Sequence, residues 1–150
     1  MNLTWNGQED IPAGKEAVWT FINDPAKIAA CLPDVQSVTV RDAHNFDATV
    51  GVALGPVRGT FTFNIALEPG AEGNHMDMKI HGGGLGSVID LVASADLVPN
   101  GDAAVTLNWT GTSSMRGPIA TVGGRVLDAQ AHRVISTTFE NVKKHLNASA

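Results

Sequence analysis

The chain has 150 residues, of which 43% are hydrophobic and 17% are charged. This composition is typical of a globular domain and excludes a disordered or low-complexity chain. The sequence contains no run of about 18 apolar residues, so a membrane-spanning helix is excluded as well.

The charge is distributed unevenly along the chain. Residues 1–114 carry 5 basic and 13 acidic side chains, whereas residues 115–150 carry 5 basic and 2 acidic ones. The basic C-terminal part either complements the acidic body within the molecule or forms a face for an acidic partner protein or an anionic membrane surface.

Cys31 is the only cysteine, so no intrachain disulfide can form and a reducing compartment is expected. The first ten residues lack the basic and apolar regions of a signal peptide. We therefore expect a cytoplasmic protein.

The N-terminal part predicts one strand followed by two short helices. Residues 2–10 alternate as a strand does, and residues 15–22 place apolar side chains at helical spacing. Asp24 is a suitable N-cap and Pro25 a suitable first residue for a second helix, which is predicted to end at about Cys31.

From residue 35 to residue 114 the pattern has the period of two that is typical of antiparallel strands. The predicted strands span residues 35–41, 45–53, 57–68, about 76–80, 87–99 and 103–113. Asn100-Gly101 is a strong hairpin turn signal between the last two. The glycine-rich residues 82–86 are predicted to be an irregular break in the form of a bulge or loop.

After residue 118 the apolar period becomes 3.6, which predicts one helix over residues 119–146. Gly123 and Gly124 are expected to weaken this helix without ending it. At 1.5 Å per residue the helix would be roughly 40 Å long. Helices segregated from a seven-stranded sheet indicate an α+β domain over residues 1–150. A curved sheet around a long C-terminal helix is the helix-grip arrangement, which usually leaves a cavity between helix and sheet.

Several short motifs resemble those of a known family. They are Ala17-Val18-Trp19, Asn23-Asp24-Pro25, Cys31-Leu32-Pro33, the run from Val50 to Val57, the glycines of residues 82–86, Gly117-Pro118-Ile119-Ala120 and Gly123-Gly124-Arg125. Together they cover residues 2–146 and resemble the carbon monoxide dehydrogenase CoxG family. One departure is Asp34, where the family usually has glycine after the proline.

The resemblance implies a START-like helix-grip domain with an apolar cavity. Proteins of this family are commonly encoded beside molybdenum hydroxylases, and they are proposed to be non-catalytic accessory factors that hold a lipid-like molecule such as a quinone. Some members carry a C-terminal extension thought to reach the membrane. For this sequence, which ends at Ala150, we expect at most peripheral membrane contact.

The residues expected to line the cavity are apolar or aromatic, with one amide. They are Phe61, Phe63, Met76, Met78, Trp109, Val122, Val126 and Gln130. Methionine suits a pocket that tolerates ligands of different shapes. Gln130 lies within an apolar stripe, so it either bonds to the protein or anchors a ligand head group.

Motifs for catalysis, metal ions or nucleotides are absent from the sequence, so we expect no cofactor, no metal and no nucleic-acid partner. His75 and His81 lie about 20 Å apart on one strand face, too far for one metal ion. His81 lies on the surface or near the cavity mouth. Cys31, with no paired histidine in view, is expected to be a buried structural thiol.

Two other functions remain open. A cyclase or hydrolase on the same fold would need several titratable side chains converging in the cavity, for which the sequence offers only Gln130, His81 and Asp90. A protein-interaction domain would instead fill the cavity with its own side chains. For either binding function, Arg125, His132 and Lys143 are expected to form an exposed partner face on one side of the C-terminal helix.

Overall fold

The computed structural model describes residues 1–148, in which a curved antiparallel sheet wraps around one long C-terminal helix. The elements in chain order are β1 (Asn2–Ile11), α1 (Lys15–Ile22), α2 (Pro25–Cys31), β2 (Val35–Val40), β3 (Asn45–Leu54), β4 (Val57–Pro69), β5 (His75–Gly84), β6 (Ser87–Pro99), β7 (Val105–Arg116), a 3₁₀ helix (Pro118–Val122) and α3 (Gly124–Ala148). The seven strands form one sheet in the order β1-β7-β6-β5-β4-β3-β2. The predicted α+β helix-grip fold is confirmed.

The two short helices begin and end as the sequence predicts. The Asp24 side chain accepts a hydrogen bond from the backbone amide of Ala26 at 3.0 Å, and Pro25 is the first residue of α2. Helix α1 buries Val18 and Phe21 against the sheet. None of the helices in residues 1–148 is long and apolar enough to cross a membrane.

The prediction of an irregular break at residues 82–86 is wrong for its first three residues, which complete β5. A Cβ atom on Gly82 would lie 2.1 Å from the carbonyl oxygen of Thr62, and one on Gly83 would lie 1.9 Å from that of Ser87. These glycines therefore allow neighbouring strands to approach closely. The turn follows at Leu85 and Gly86, both of which have positive φ angles.

The prediction that the C-terminal helix runs unbroken from residue 119 is also wrong. Gly123 has a φ of +97°, which lies outside the helical region, and it separates the 3₁₀ helix from α3. The backbone amide of Ile119 donates to the Ser87 hydroxyl at 2.9 Å, which ties the 3₁₀ helix to β6. The long helix therefore begins at Gly124 rather than at Ile119.

The inner face of the sheet carries two groups of buried side chains. The larger group packs α1, α2 and the C-terminal half of α3 against the sheet, and it includes Ile11, Phe46 and Val142. The smaller group lies under the N-terminal half of α3 and includes Trp5 and Leu127. The space that these side chains leave unfilled forms the cavity described next.

Candidate functional site

A cavity of about 280 Å³ lies between the inner face of the sheet and helix α3. Strands β3 to β7 supply most of its wall, and α2, the α2–β2 loop and α3 supply the rest. This volume is at the lower end of the range for small-molecule sites, which is roughly 300–1,000 Å³. The cavity is therefore large enough for a small ring system or a short chain.

The sheet side of the wall is made of side chains from alternate strand positions. Phe61 and Phe63 lie on β4 with ring centroids 6.2 Å apart, and their cross-strand neighbours Val50 and Ala48 lie on β3. Because residues two apart point to the same face, one apolar period produces a continuous apolar surface. Phe61 is fully buried.

The helix side of the wall is formed by one stripe of α3. Leu127, Ala131, Val134 and Ile135 follow the i, i+4, i+7, i+8 spacing of an amphipathic helix and all line the cavity. Gln130 lies beside this stripe and also lines the cavity. The wall of α3 is thus apolar apart from one amide.

The mouth of the cavity lies between the α2–β2 loop and α3. Asp34 is the one exposed wall residue within residues 1–148. Its carboxylate accepts a hydrogen bond from the Nη2 of Arg133, and Arg133 Nε donates to the Gln130 Oε1 at 3.4 Å. The carbonyl oxygen of Asp34 accepts from the amide of Gly51 at 3.0 Å. These bonds join the loop to α3 and to β3 at the mouth.

Asp34 also explains why glycine is usual at its position. Its φ of +61° lies in the left-handed region, which glycine adopts without steric cost. Aspartate tolerates this region better than most residues do. The side chain retained here supplies the link to Arg133 that glycine lacks.

Two polar side chains lie deeper in the wall. The indole Nε1 of Trp5 donates to the Oδ1 of Asp128 on α3 at 2.8 Å. The hydroxyl of Ser113 on β7 has no hydrogen-bond partner within residues 1–148, although the side chain is 1% exposed. Ser113 is the deep polar group that the sequence prediction missed. Its position between Gly111 and Met115 on the inward-facing period of β7 was the available signal.

Four of the eight predicted cavity residues lie in the wall, namely Phe61, Phe63, Met78 and Gln130. Three others lie in the surrounding core. Met76 packs in the larger buried group, Trp109 stacks on Phe139 with centroids 6.2 Å apart, and Val122 packs in the smaller group.

The prediction that Val126 faces the interior is wrong, because its side chain is 42% exposed. Ile119 and Val122 lie seven and four residues before Val126, so an unbroken helix would place all three on one apolar stripe. The break at Gly123 removes the first two from the helix. The true stripe is then centred on Leu127 and Ala131, one position further round.

The predicted exposed partner face is only partly present. Arg125 is exposed, and the ring of His132 lies on the surface 3.5 Å from Asp128. Lys143 instead pairs with Glu9 of β1 at 3.0 Å, and both side chains are mostly buried. The prediction that all three remain unpaired with the sheet is therefore wrong for Lys143, because Glu9 points inward towards α3.

His81 lies outside the cavity. It is exposed on the outer face of the sheet and pairs with Asp90 of the neighbouring strand. His75 lies on the same outer face, where its Nδ1 bonds to Asp96 at 2.7 Å and its Nε2 to Asp77 at 2.8 Å. Hydrogen bonds to Asp96 first, and then to Asp77, raise the pKa of His75.

Cys31 is fully buried, and burial raises the pKa of its thiol to about 11. A histidine does lie beside it, contrary to expectation, since the Nδ1 of His145 is 3.7 Å from the sulfur. The same Nδ1 lies 2.8 Å from the carbonyl oxygen of Asn141, which can only accept a hydrogen bond. Nδ1 therefore carries a proton and cannot take one from the thiol.

The sequence and the fold were compared with known proteins. The carbon monoxide dehydrogenase CoxG family matches residues 7–147. No curated protein matches the sequence.

Three solved structures share the fold. A conserved protein from Geobacillus kaustophilus is 23% identical, with a TM-score of 0.88 over 98% of this chain and 97% of that one. A START superfamily protein from Mycobacterium smegmatis is 12% identical, with a TM-score of 0.74 over 98% and 99%. The Zhui aromatase/cyclase from Streptomyces sp. R1128 is 13% identical, with a TM-score of 0.68 over 98% and 94%. At these identities the likeness establishes the START-like fold.

Proposed function

The chain belongs to the carbon monoxide dehydrogenase CoxG family, and on that premise we propose that it is a non-catalytic accessory domain that holds an apolar small molecule between the sheet and α3. The observation that supports this function best is the cavity of about 280 Å³ with an almost wholly apolar wall. An apolar ligand gains free energy here by leaving water, at about 25 cal/mol per Å² of buried apolar surface.

The wall offers little for acid–base chemistry. Within residues 1–148, Asp34 is the one ionisable side chain that lines the cavity, and it is bound to Arg133 at the mouth. A cyclase or hydrolase needs a proton donor or acceptor within about 3 Å of the reacting group. His81 and Asp90, the groups that an enzyme was expected to use, lie on the outer face of the sheet. These positions favour binding over catalysis.

A filled interaction domain is the less well supported alternative. The side chains facing α3 leave a cavity near the lower limit for ligand sites, whereas a filled core leaves few voids larger than a water molecule. Met78 in the wall adds a flexible side chain that can adjust to the shape of a ligand.

The proposed partner is a molybdenum hydroxylase of the carbon monoxide dehydrogenase type. The family membership supports this assignment, and an exposed basic group at the start of α3, Arg125, suits an acidic docking surface. A lipid- or quinone-like ligand agrees with the apolar wall. The peripheral membrane contact is proposed on the family resemblance alone.

Native mass spectrometry of the purified protein tests the binding function directly. We expect a bound species whose mass persists under gentle ionisation and is released by organic extraction. Titration with the apolar dye N-phenyl-1-naphthylamine should then give saturable fluorescence with one site per chain once the bound species has been removed. Absence of both a bound species and saturable dye uptake would rule out the proposal.

A further inference from the structure

Ser113 is a buried hydroxyl without a protein partner. Its side chain is 1% exposed, it lines the cavity, and its Oγ makes no hydrogen bond within residues 1–148. Most buried polar side chains in folded proteins have at least one partner. Leaving a hydroxyl unpaired in the interior destabilises the fold, so a neutral apolar residue would be the favourable choice at this position.

The surroundings of Ser113 are apolar and leave space. On the inner face of the sheet its cross-strand neighbours are Leu3 and Leu91, and Met115 follows on the same strand face. Gly111 precedes it on that face, and a Cβ atom built on this glycine would meet nothing within 4 Å. The hydroxyl therefore faces a part of the interior that has room for another atom and offers no competing donor or acceptor from these neighbours.

The other polar side chains of the wall are already bonded. Trp5 donates to Asp128, Asp34 accepts from Arg133, and Gln130 accepts from Arg133. Asp34 lies at the exposed mouth, whereas Ser113 is among the most buried residues of the wall. The cavity thus has a polar mouth whose groups satisfy one another and a single unsatisfied hydroxyl at its deep end.

From these observations we infer that Ser113 anchors the ligand by a hydrogen bond to one neutral oxygen at the ligand's inner end. This inference rests on the proposed binding function and specifies the chemical class of the ligand: an apolar molecule that carries a carbonyl or hydroxyl oxygen. A carboxylate or phosphate does not fit, because a buried anion needs a cation or several donors and the deep end offers one hydroxyl. The ligand enters with its oxygen first and leaves its hydrocarbon part towards Asp34.

A matched pair of probes tests the anchor. The ketone 2-acetylnaphthalene and the alkene 2-isopropenylnaphthalene have nearly the same shape, but only the ketone can accept a hydrogen bond. For Ser113→Ala we expect affinity for the ketone to fall about three- to tenfold, the effect of losing one hydrogen bond, and affinity for the alkene to stay unchanged. Ser114→Ala, on the outward-facing period of the same strand, should change neither affinity.

Two further measurements separate the possible outcomes. The infrared carbonyl stretch of the bound ketone should lie at lower frequency in the unaltered protein than in Ser113→Ala, since a hydrogen bond weakens the carbonyl bond. The ligand-free Ser113→Ala protein should be at least as stable as the unaltered one, because no protein partner is lost. Equal loss of both probes, an unchanged carbonyl stretch or a destabilised variant would overturn the anchor. If neither probe binds the unaltered protein while native mass spectrometry detects no bound species, the binding function itself fails.

Discussion

Filling the cavity from the helix side is the perturbation that the structure specifies best. Ala131 lines the cavity from the middle of the apolar stripe of α3, and Ala131→Leu adds three carbon atoms that point into the empty space. Ala129 lies on the exposed face of the same helix, so Ala129→Leu makes the same chemical change with no cavity to fill.

The magnitude follows from the number of added atoms. Three carbons at about 0.8 kcal/mol each contribute about 2.4 kcal/mol when they are fully buried. Ordering the leucine side chain offsets about 0.5–1 kcal/mol of this gain. The net gain in the free energy of unfolding is about 1.5–2 kcal/mol, which corresponds to a rise in Tm of about 3–8 °C for a chain of this size.

The assay has two readouts on ligand-free protein. Urea unfolding followed by circular dichroism gives the free energy of unfolding, and titration with N-phenyl-1-naphthylamine gives uptake. We expect Ala131→Leu to raise stability and to lower dye affinity at least tenfold, while Ala129→Leu changes both little. Equal dye affinity in the two variants would refute the placement of the binding site under α3.

Three other outcomes follow from the structure. The thiol of Cys31, with its pKa raised to about 11, should react with a disulfide reagent at pH 8 only as fast as the protein unfolds; rapid reaction in the folded state would contradict its burial. Asp96→Asn should lower the pKa of His75 in an NMR titration; since that pKa is raised above 6.5, the pair stabilises the fold fully below about pH 6.5 and loses this contribution as the pH rises through the folded-state pKa. Arg133→Gln should speed dye entry and exit in stopped-flow measurements because it frees Asp34 at the mouth, while stability changes by only about 0–1 kcal/mol; unchanged rates would show that the mouth opens elsewhere.

Local patterns along the chain predict most of the fold because its elements obey them. The Asp24-Pro25 pair begins α2, the Asn100-Gly101 pair lies in the β6–β7 connection, and alternation identifies the strands. Glycines are the exception. Gly82 and Gly83 lie within β5 because neighbouring backbones come close to them, and Gly123 ends a helical segment through its positive φ. Both roles depend on three-dimensional context that a one-dimensional pattern does not contain.

The candidate site is less predictable for a related reason. Alternation places Phe61, Phe63 and Met78 on the inner face, and all three line the cavity. The rotation of α3 is set by its contacts rather than by its period alone, so a break at Gly123 was enough to exchange Val126 for Leu127. Hydrogen bonding is less visible still, because a serine on an apolar face can bond to any neighbour. Only the structure identifies Ser113 as the wall residue without a partner.

The basic charge of the C-terminal part has two uses, and the structure separates them. Lys143 pairs with Glu9 of β1 and Arg133 pairs with Asp34 of the α2–β2 loop, so two of the helix cations complement acidic groups on the body of the molecule. Each such pair contributes only about 0–1 kcal/mol, but together they join α3 to both sides of the cavity. The proposed partner face therefore contracts to Arg125 and His132 near the N-terminal end of α3. Since Arg133 closes the mouth on the same helix, a partner that docks on this end and competes for Asp34 or Arg133 would act on the entrance to the cavity directly.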